Sequence, residues 1–111
     1  MVAVGEGSLR RTNHADSQGS VAVGVNALTA NVSGIGNTAI GFDALKSEDD
    51  GDFNTAVGYE ALENQTGTSG AVSNTAVGYH AGYAVTTGVN NTAVGRGSAD
   101  ALTTGGQNVA L

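Results

Sequence analysis

The side chains best suited to chemistry in this 111-residue chain are a few aromatics and one acidic run. Phe42, Tyr59 and Tyr79 each follow the last glycine of a recurring pentad, and Tyr83 lies four residues beyond Tyr79. Flat rings repeated at one register form either a stacking platform for saccharide rings or an internal packing ladder. The run Glu48-Asp49-Asp50-Gly51-Asp52 groups hard oxygens about a glycine, which is calcium chemistry. It lacks the spacing of a calcium-binding hand and occurs once, so a solvated turn is the favoured expectation. His14 and His80 fall at different registers and read as solvated surface histidines. There is no cysteine, hence no thiolate nucleophile, disulfide or zinc site, and no other metal set is apparent. Gly5-Glu6-Gly7 and Gly95-Arg96-Gly97 lack the third glycine of a dinucleotide loop, and no Gly-Lys-Ser/Thr is present. The residues therefore predict neither a catalytic constellation nor a cofactor.

Charge and composition narrow the partners. Ten acidic against four basic side chains give a net charge of -6, without the basic footprint that nucleic acid or anionic lipid requires. Uninterrupted apolar runs fall far short of the roughly 20 residues needed to cross a bilayer, so this segment is not expected to insert into a membrane. The apolar residues are chiefly 17 Ala and 13 Val, with only 6 Leu and 2 Ile. Such small side chains bury little area each, which favours a regular, backbone-bonded architecture, an oligomer, or both.

The elements that must position these residues come from a repeat. Pentads begin at Met1, Ser20, Asn37, Asn54, Asn74 and Asn91, and a truncated copy begins at Asn108; the starts are 19, 17, 17, 20, 17 and 17 residues apart. Their last residues are Gly5, Gly24, Gly41, Gly58, Gly78 and Gly95. Three residues later comes Ser or Ala, followed in four copies by Leu9, Leu28, Leu45 or Leu62. A further glycine precedes most pentads at Gly34, Gly51, Gly70, Gly88 and Gly105. A period of 17 fits one solenoid coil. The predicted fold is an all-β parallel β-solenoid forming a single domain over 1–111, with coils at 1–19, 20–36, 37–53, 54–73, 74–90 and 91–107 and a partial coil at 108–111.

Within the pentad, period-two alternation predicts a strand. Its second and fourth residues (Val or Thr, then Val, Ile or Leu) are expected to face inward, with Ala and Gly on the side a neighbouring chain could approach. The pentad glycines are expected at positive φ or at a close backbone approach. The Gly-x-x-Ala-Leu stretch is read as a strand or turn in preference to a helical turn. Stacking predicts an Asn ladder of Asn37, Asn54, Asn74, Asn91 and Asn108 exchanging side-chain amide bonds, beside a Thr ladder of Thr38, Thr55, Thr75 and Thr92. One Thr per coil does not make the paired array of an ice-binding surface. Both long intervals fall after the small residue, at 10–19 and 63–73, and such insertions share one face, which is either a binding face or tolerated slack.

The Ser20-Val21-Ala22-Val23-Gly24 and Asn-Thr-Ala-Val-Gly-Tyr-x-Ala copies resemble, over essentially the whole chain, the head repeats of YadA-like trimeric autotransporter adhesins and the related repeats of bacteriophage tail fibres. The resemblance implies a left-handed β-roll, a homotrimer, an extracellular place on a virion or bacterial surface, and a structural and adhesive role against a host glycan or protein receptor. The family's usual adhesin heads have shorter coils, and the 17-residue coil with Tyr after Gly is nearer the phage-fibre variety. The chain shows no pattern for a barrel anchor, stalk or tip domain, and is expected to be a fragment, a very small member, or something assembled differently. An alternative reading has open solenoid ends stacking head to tail into an extracellular filament, Asn108–Leu111 against Met1–Gly5.

Overall fold

A computed structural model describes residues 1–12, 18–67 and 69–111. Its elements are short strands: β1 (Val2–Val4), β2 (Val21–Val23), β3 (Thr38–Ile40), β4 (Gly51–Asp52), β5 (Thr55–Val57), β6 (Gly70–Ala71), β7 (Thr75–Val77), β8 (Thr92–Val94) and β9 (Val109–Ala110). The described residues contain no helix. The pentad strands form one parallel sheet in the order β1-β2-β3-β5-β7-β8-β9, and β4 pairs with β6 in a second, parallel, two-stranded sheet. Register follows the repeat: Val21 pairs with Thr38, Ala39 with Ala56, Ile40 with Val57 and Thr75 with Thr92. The chain is a β-solenoid of about six turns, and its longest extent is 33 Å.

The strands face the opposite way from the expectation. Ala22, Ala39, Ala56 and Ala76 are completely buried, while Val4, Ile40, Val77 and Val94 on the other face are 38–56% exposed. The reason is the thinness of the coil. Its opposite wall carries Leu28, Leu45 and Leu62 with Ala27, Ala44, Ala61 and Ala81, all buried in the same core as the strand alanines. Only a methyl fits between the strand and those leucines. The alternation of the pentad was legible; its polarity was not, because β-branched residues in a strand are ordinarily taken to point at the core.

The stretch after the pentad is a chain of turns. Ala44 N–H donates to Gly41 O at 3.4 Å, Lys46 N–H to Asp43 O at 3.3 Å and Glu48 N–H to Leu45 O at 3.3 Å. Leu9, Leu28, Leu45 and Leu62 have φ between 47° and 52°, a left-handed conformation costing roughly 1–2 kcal/mol each. Burial of a leucine side chain, worth about 1.5–3 kcal/mol, offsets this. Inter-coil bonds hold the conformation: Leu28 N–H donates to Ala44 O and Leu45 N–H to Ala61 O, both at 3.1 Å.

All six pentad glycines have positive φ, and all but Gly95 also sit at a close backbone approach. Gly58 has φ +145°, and a Cβ placed there would lie 2.3 Å from the carbonyl oxygen of Gly78 in the next coil. At the second glycine position the demand is space: a Cβ on Gly34 would meet Gly51 O at 2.5 Å and Asn31 Oδ1 at 2.6 Å. In the fourth coil the crowded residue is Gly67, whose Cβ would strike Glu48 and Val72 at 2.7 Å. Gly70, singled out by spacing, has open space around it.

The Asn ladder is present, with different bonding from that expected. Oδ1 of Asn37, Asn54, Asn74 and Asn91 accepts the backbone N–H of the Asn one coil on, at 2.8, 3.0, 2.8 and 3.0 Å. Nδ2 of Asn37, Asn74 and Asn91 crosses its own coil to the carbonyls of Gly51, Gly88 and Gly105 at 2.7, 2.6 and 2.8 Å. Asn37, Asn74 and Asn91 thus each close their coil and tie it to the next, whereas Asn54 Nδ2 donates to Glu48 Oε2 at 3.4 Å. A side-chain-to-side-chain amide bond occurs at Asn108, which donates to Asn91 Oδ1 at 3.0 Å. Ser20 does the same work with its hydroxyl, accepting from Asn37 N–H at 3.2 Å and donating to Gly34 O at 3.4 Å. The threonines stack in register on the outer face, half-buried.

Candidate functional site

The first residue after each pentad glycine projects along one edge of the solenoid, and there the predicted aromatic ladder forms. Phe42 stacks on Tyr59 with centroids 5.0 Å apart, and Tyr59 on Tyr79 at 5.6 Å, with planes inclined by 12° and 15°. All three rings are 40–46% exposed. Tyr83 does not touch this stack directly. It joins through His80, whose ring lies 4.0 Å from Tyr79 and 4.8 Å from Tyr83. In the sixth coil the ladder register is taken by Arg96, whose guanidinium lies 5.6 Å from the Tyr79 centroid, within reach of a cation–π attraction.

His80 is therefore not the solvated histidine expected. It is stacked between two tyrosines, and its Nε2 lies 2.6 Å from Glu60 Oε2. The cause is its register. The second residues after the pentad glycines form a polar column in which Asn26 Nδ2 donates to Asp43 Oδ1 at 3.0 Å, Lys46 Nζ reaches Asp43 Oδ2 at 2.8 Å, and Glu60 meets His80. The Glu60 carboxylate also raises the Tyr59 phenol above its usual value. The side chains at this register, Asn26, Asp43, Glu60 and His80, differ in type from coil to coil, so repetition did not reveal it. His14 lies outside the described residues.

Above His80 the column is interrupted, because the sixth coil has Gly97 at that register. A concave site of about 420 Å³ opens there, lined by Tyr79, His80, Tyr83, Arg96, Gly97 and Asp100. Arg96 and Asp100 are exposed at its rim. His80, Arg96 and Asp100 were missed by the sequence reading, although each shares its register with an aromatic or polar residue of the neighbouring coil.

The acidic run is not a solvated turn throughout. Glu48 is completely buried. Its Oε1 accepts the N–H groups of Gly51 and Gly67 at 2.8 and 2.9 Å, and Oε2 that of Gly67 at 3.0 Å. Burial pushes this carboxyl above its ordinary value, and the two backbone donors pull part of the way back. Asp50 Oδ1 accepts from Ser33 Oγ at 2.6 Å and Asp52 Oδ1 from Ile35 N–H at 2.9 Å. These carboxylates are committed to neighbouring coils and do not converge. Among the described residues no group of three His, Cys, Asp or Glu side chains is placed to hold a metal ion. Glu48 instead belongs to an interior polar column with Asn31 and Gln65, all completely buried. Of the two inserted stretches, residues 13–17 and Thr68 lie outside the described residues.

A second candidate surface is the outward face of the large sheet, where Val4, Val23, Ile40, Val57, Val77 and Val94 stand in register over six coils. No protein-family model, curated protein or solved structure matches the chain. Among the described residues no helix is long and apolar enough to cross a membrane.

Proposed function

We propose that this chain is a non-enzymatic structural and adhesive segment, a left-handed β-roll that packs side by side with two further copies in an extracellular fibre. The fibre is of the phage tail-fibre or bacterial surface-adhesin kind, and it attaches to a host surface. The observation that carries the reading is the column Val4, Val23, Ile40, Val57, Val77 and Val94. Parallel sheets are ordinarily covered on both faces, and here one face presents a straight aliphatic stripe to solvent, with Ile40, Val77 and Val94 at 38–40% exposure. Contiguous apolar surface of this kind marks an association site. A second copy suits it, because the stripe has the same spacing on every chain, so the coils of two copies match rung for rung. The repeat's resemblance to trimeric adhesin heads supplies the number three.

The test is a charge in the stripe. Val57→Asp and Val77→Asp place a carboxylate on the outer face, where the folded monomer has room for it. The reading expects each variant to keep the wild-type far-UV spectrum and to sediment as a single chain. Unchanged association in both variants refutes this face as the contact.

A further inference from the structure

The gap above His80 points to a ligand. We propose that the pocket bounded by Tyr79, His80, Tyr83, Arg96, Gly97 and Asp100 binds the ring of a neutral saccharide, which takes the place of the side chain that Gly97 lacks. The site is formed within one chain and does not rest on trimerisation.

The local geometry supports a flat occupant. In the second to fifth coils this register is filled by Asn26, Asp43, Glu60 and His80, each at φ between 53° and 57°, and the first coil has Gly7 there at φ 72°. Gly97 keeps the same left-handed backbone, φ 64°, and its N–H donates to Tyr79 O at 2.9 Å. The coil thus continues without a break while one side-chain rung is missing. The space is open to a side chain: a Cβ on Gly97 would come no closer than 3.7 Å, to Asp100 Oδ2. The volume of about 420 Å³ lies within the range of small-molecule sites.

The lining chooses the chemistry. Tyr79, His80 and Tyr83 line the site with aromatic rings against which the apolar C–H groups of a pyranose can pack. Among the described residues Arg96 and Asp100 make no ion pair, so a charged donor and a charged acceptor flank the opening. Vicinal hydroxyls, which both donate and accept, satisfy both at once, and hydrogen bonds to charged groups are the stronger kind. A purely aromatic ligand would leave the Asp100 carboxylate unsatisfied, and an anionic sugar would meet its charge.

The test is titration of the ¹⁵N-labelled chain with methyl glycosides of glucose, galactose, mannose and N-acetylglucosamine, with adenosine as a flat aromatic control. At least one glycoside is expected to move the amide signals of His80, Tyr83, Gly97 and Asp100 with an affinity on the order of 1 mM. Arg96→Ala and Asp100→Asn are each expected to weaken it about tenfold. Gly97→Asn restores the missing rung with a residue type that the same register already holds at Asn26, and is expected to abolish binding while leaving the far-UV spectrum unchanged. Arg96→Ala and Asp100→Asn alter exposed side chains and keep the test valid if Gly97→Asn fails to fold. The proposal is overturned if no glycoside shifts these signals, if adenosine alone binds, or if the variants bind as wild type does.

Discussion

Oδ1 of Asn54 accepts the backbone N–H of Asn74 at 3.0 Å across 20 residues, the same bond that Asn37 makes to Asn54 across 17. The three extra residues of the fourth coil are absorbed without loss of the ladder, so the buried asparagines, not the length of the coil, set the register. Asn74→Ala should leave the Asn91 N–H and the Gly88 carbonyl without partners in the interior. Each stranded group costs about 1–3 kcal/mol, and urea denaturation should show a loss of that order or larger. Thr75→Ala, on the half-buried outer face, should cost well under half as much.

Gly58 and Gly95 separate close approach from backbone strain. Both have positive φ, +145° and +115°, but a Cβ on Gly58 would lie 2.3 Å from Gly78 O, whereas on Gly95 the nearest atom is 3.9 Å away. Gly95→Ala should cost about 1–3 kcal/mol, the range for one strained backbone position. Gly58→Ala should cost more, since two coils must move apart. Thermal denaturation of the two variants gives the ordering, and equal losses would count against the clash.

Much of the architecture was legible because six copies of one pentad repeat the same physical demand: glycine where coils touch, Asn where they are tied. Polarity was harder to read. Ala39 and Ile40 are neighbours in one strand, and nothing local says that the smaller side chain goes inside; that depends on Leu45 and Leu62 occupying the opposite wall. The interior column Asn31, Glu48 and Gln65 escaped notice because three residue types share one register and Glu48 sits in a run that reads as solvated. His80 escaped for a similar reason. Its own register carries Asn26, Asp43, Glu60 and His80, side chains of different types, whereas Phe42, Tyr59 and Tyr79 recur as a type.

Glu48 gives a pH signature. Its carboxyl is raised above 4.5 by burial, so the folded chain holds this proton more tightly than the unfolded chain. Stability from this group is therefore fullest at and below about pH 4.5 and declines as pH rises through the raised value. Glu48→Gln removes the titration. The stability of wild type relative to this variant should fall as pH rises above about 4.5, measured by urea denaturation, and a difference that grows with pH contradicts the assignment. At low pH the variant should also lose about 1–3 kcal/mol, because its amide nitrogen, at the Oε2 position, faces the donors of Gly67 and Asn54 Nδ2.

The aromatic edge should be separable from the fold. Tyr59 is 45% exposed and stacks between Phe42 and Tyr79. Such pairs are worth about 0.5–1.5 kcal/mol each, so Tyr59→Ala should destabilise by about 1–3 kcal/mol without changing the far-UV spectrum. A larger loss, or unfolding, would make the ladder part of the core.

The central claim is that the aliphatic outer face joins three copies of this chain. Its most direct test is the mass in solution by light scattering over a hundredfold range of concentration. The account predicts a constant mass of three 10.9 kDa chains. A mass of one chain throughout would contradict it, and a mass that climbs steadily with concentration would favour end-to-end filaments over a closed trimer.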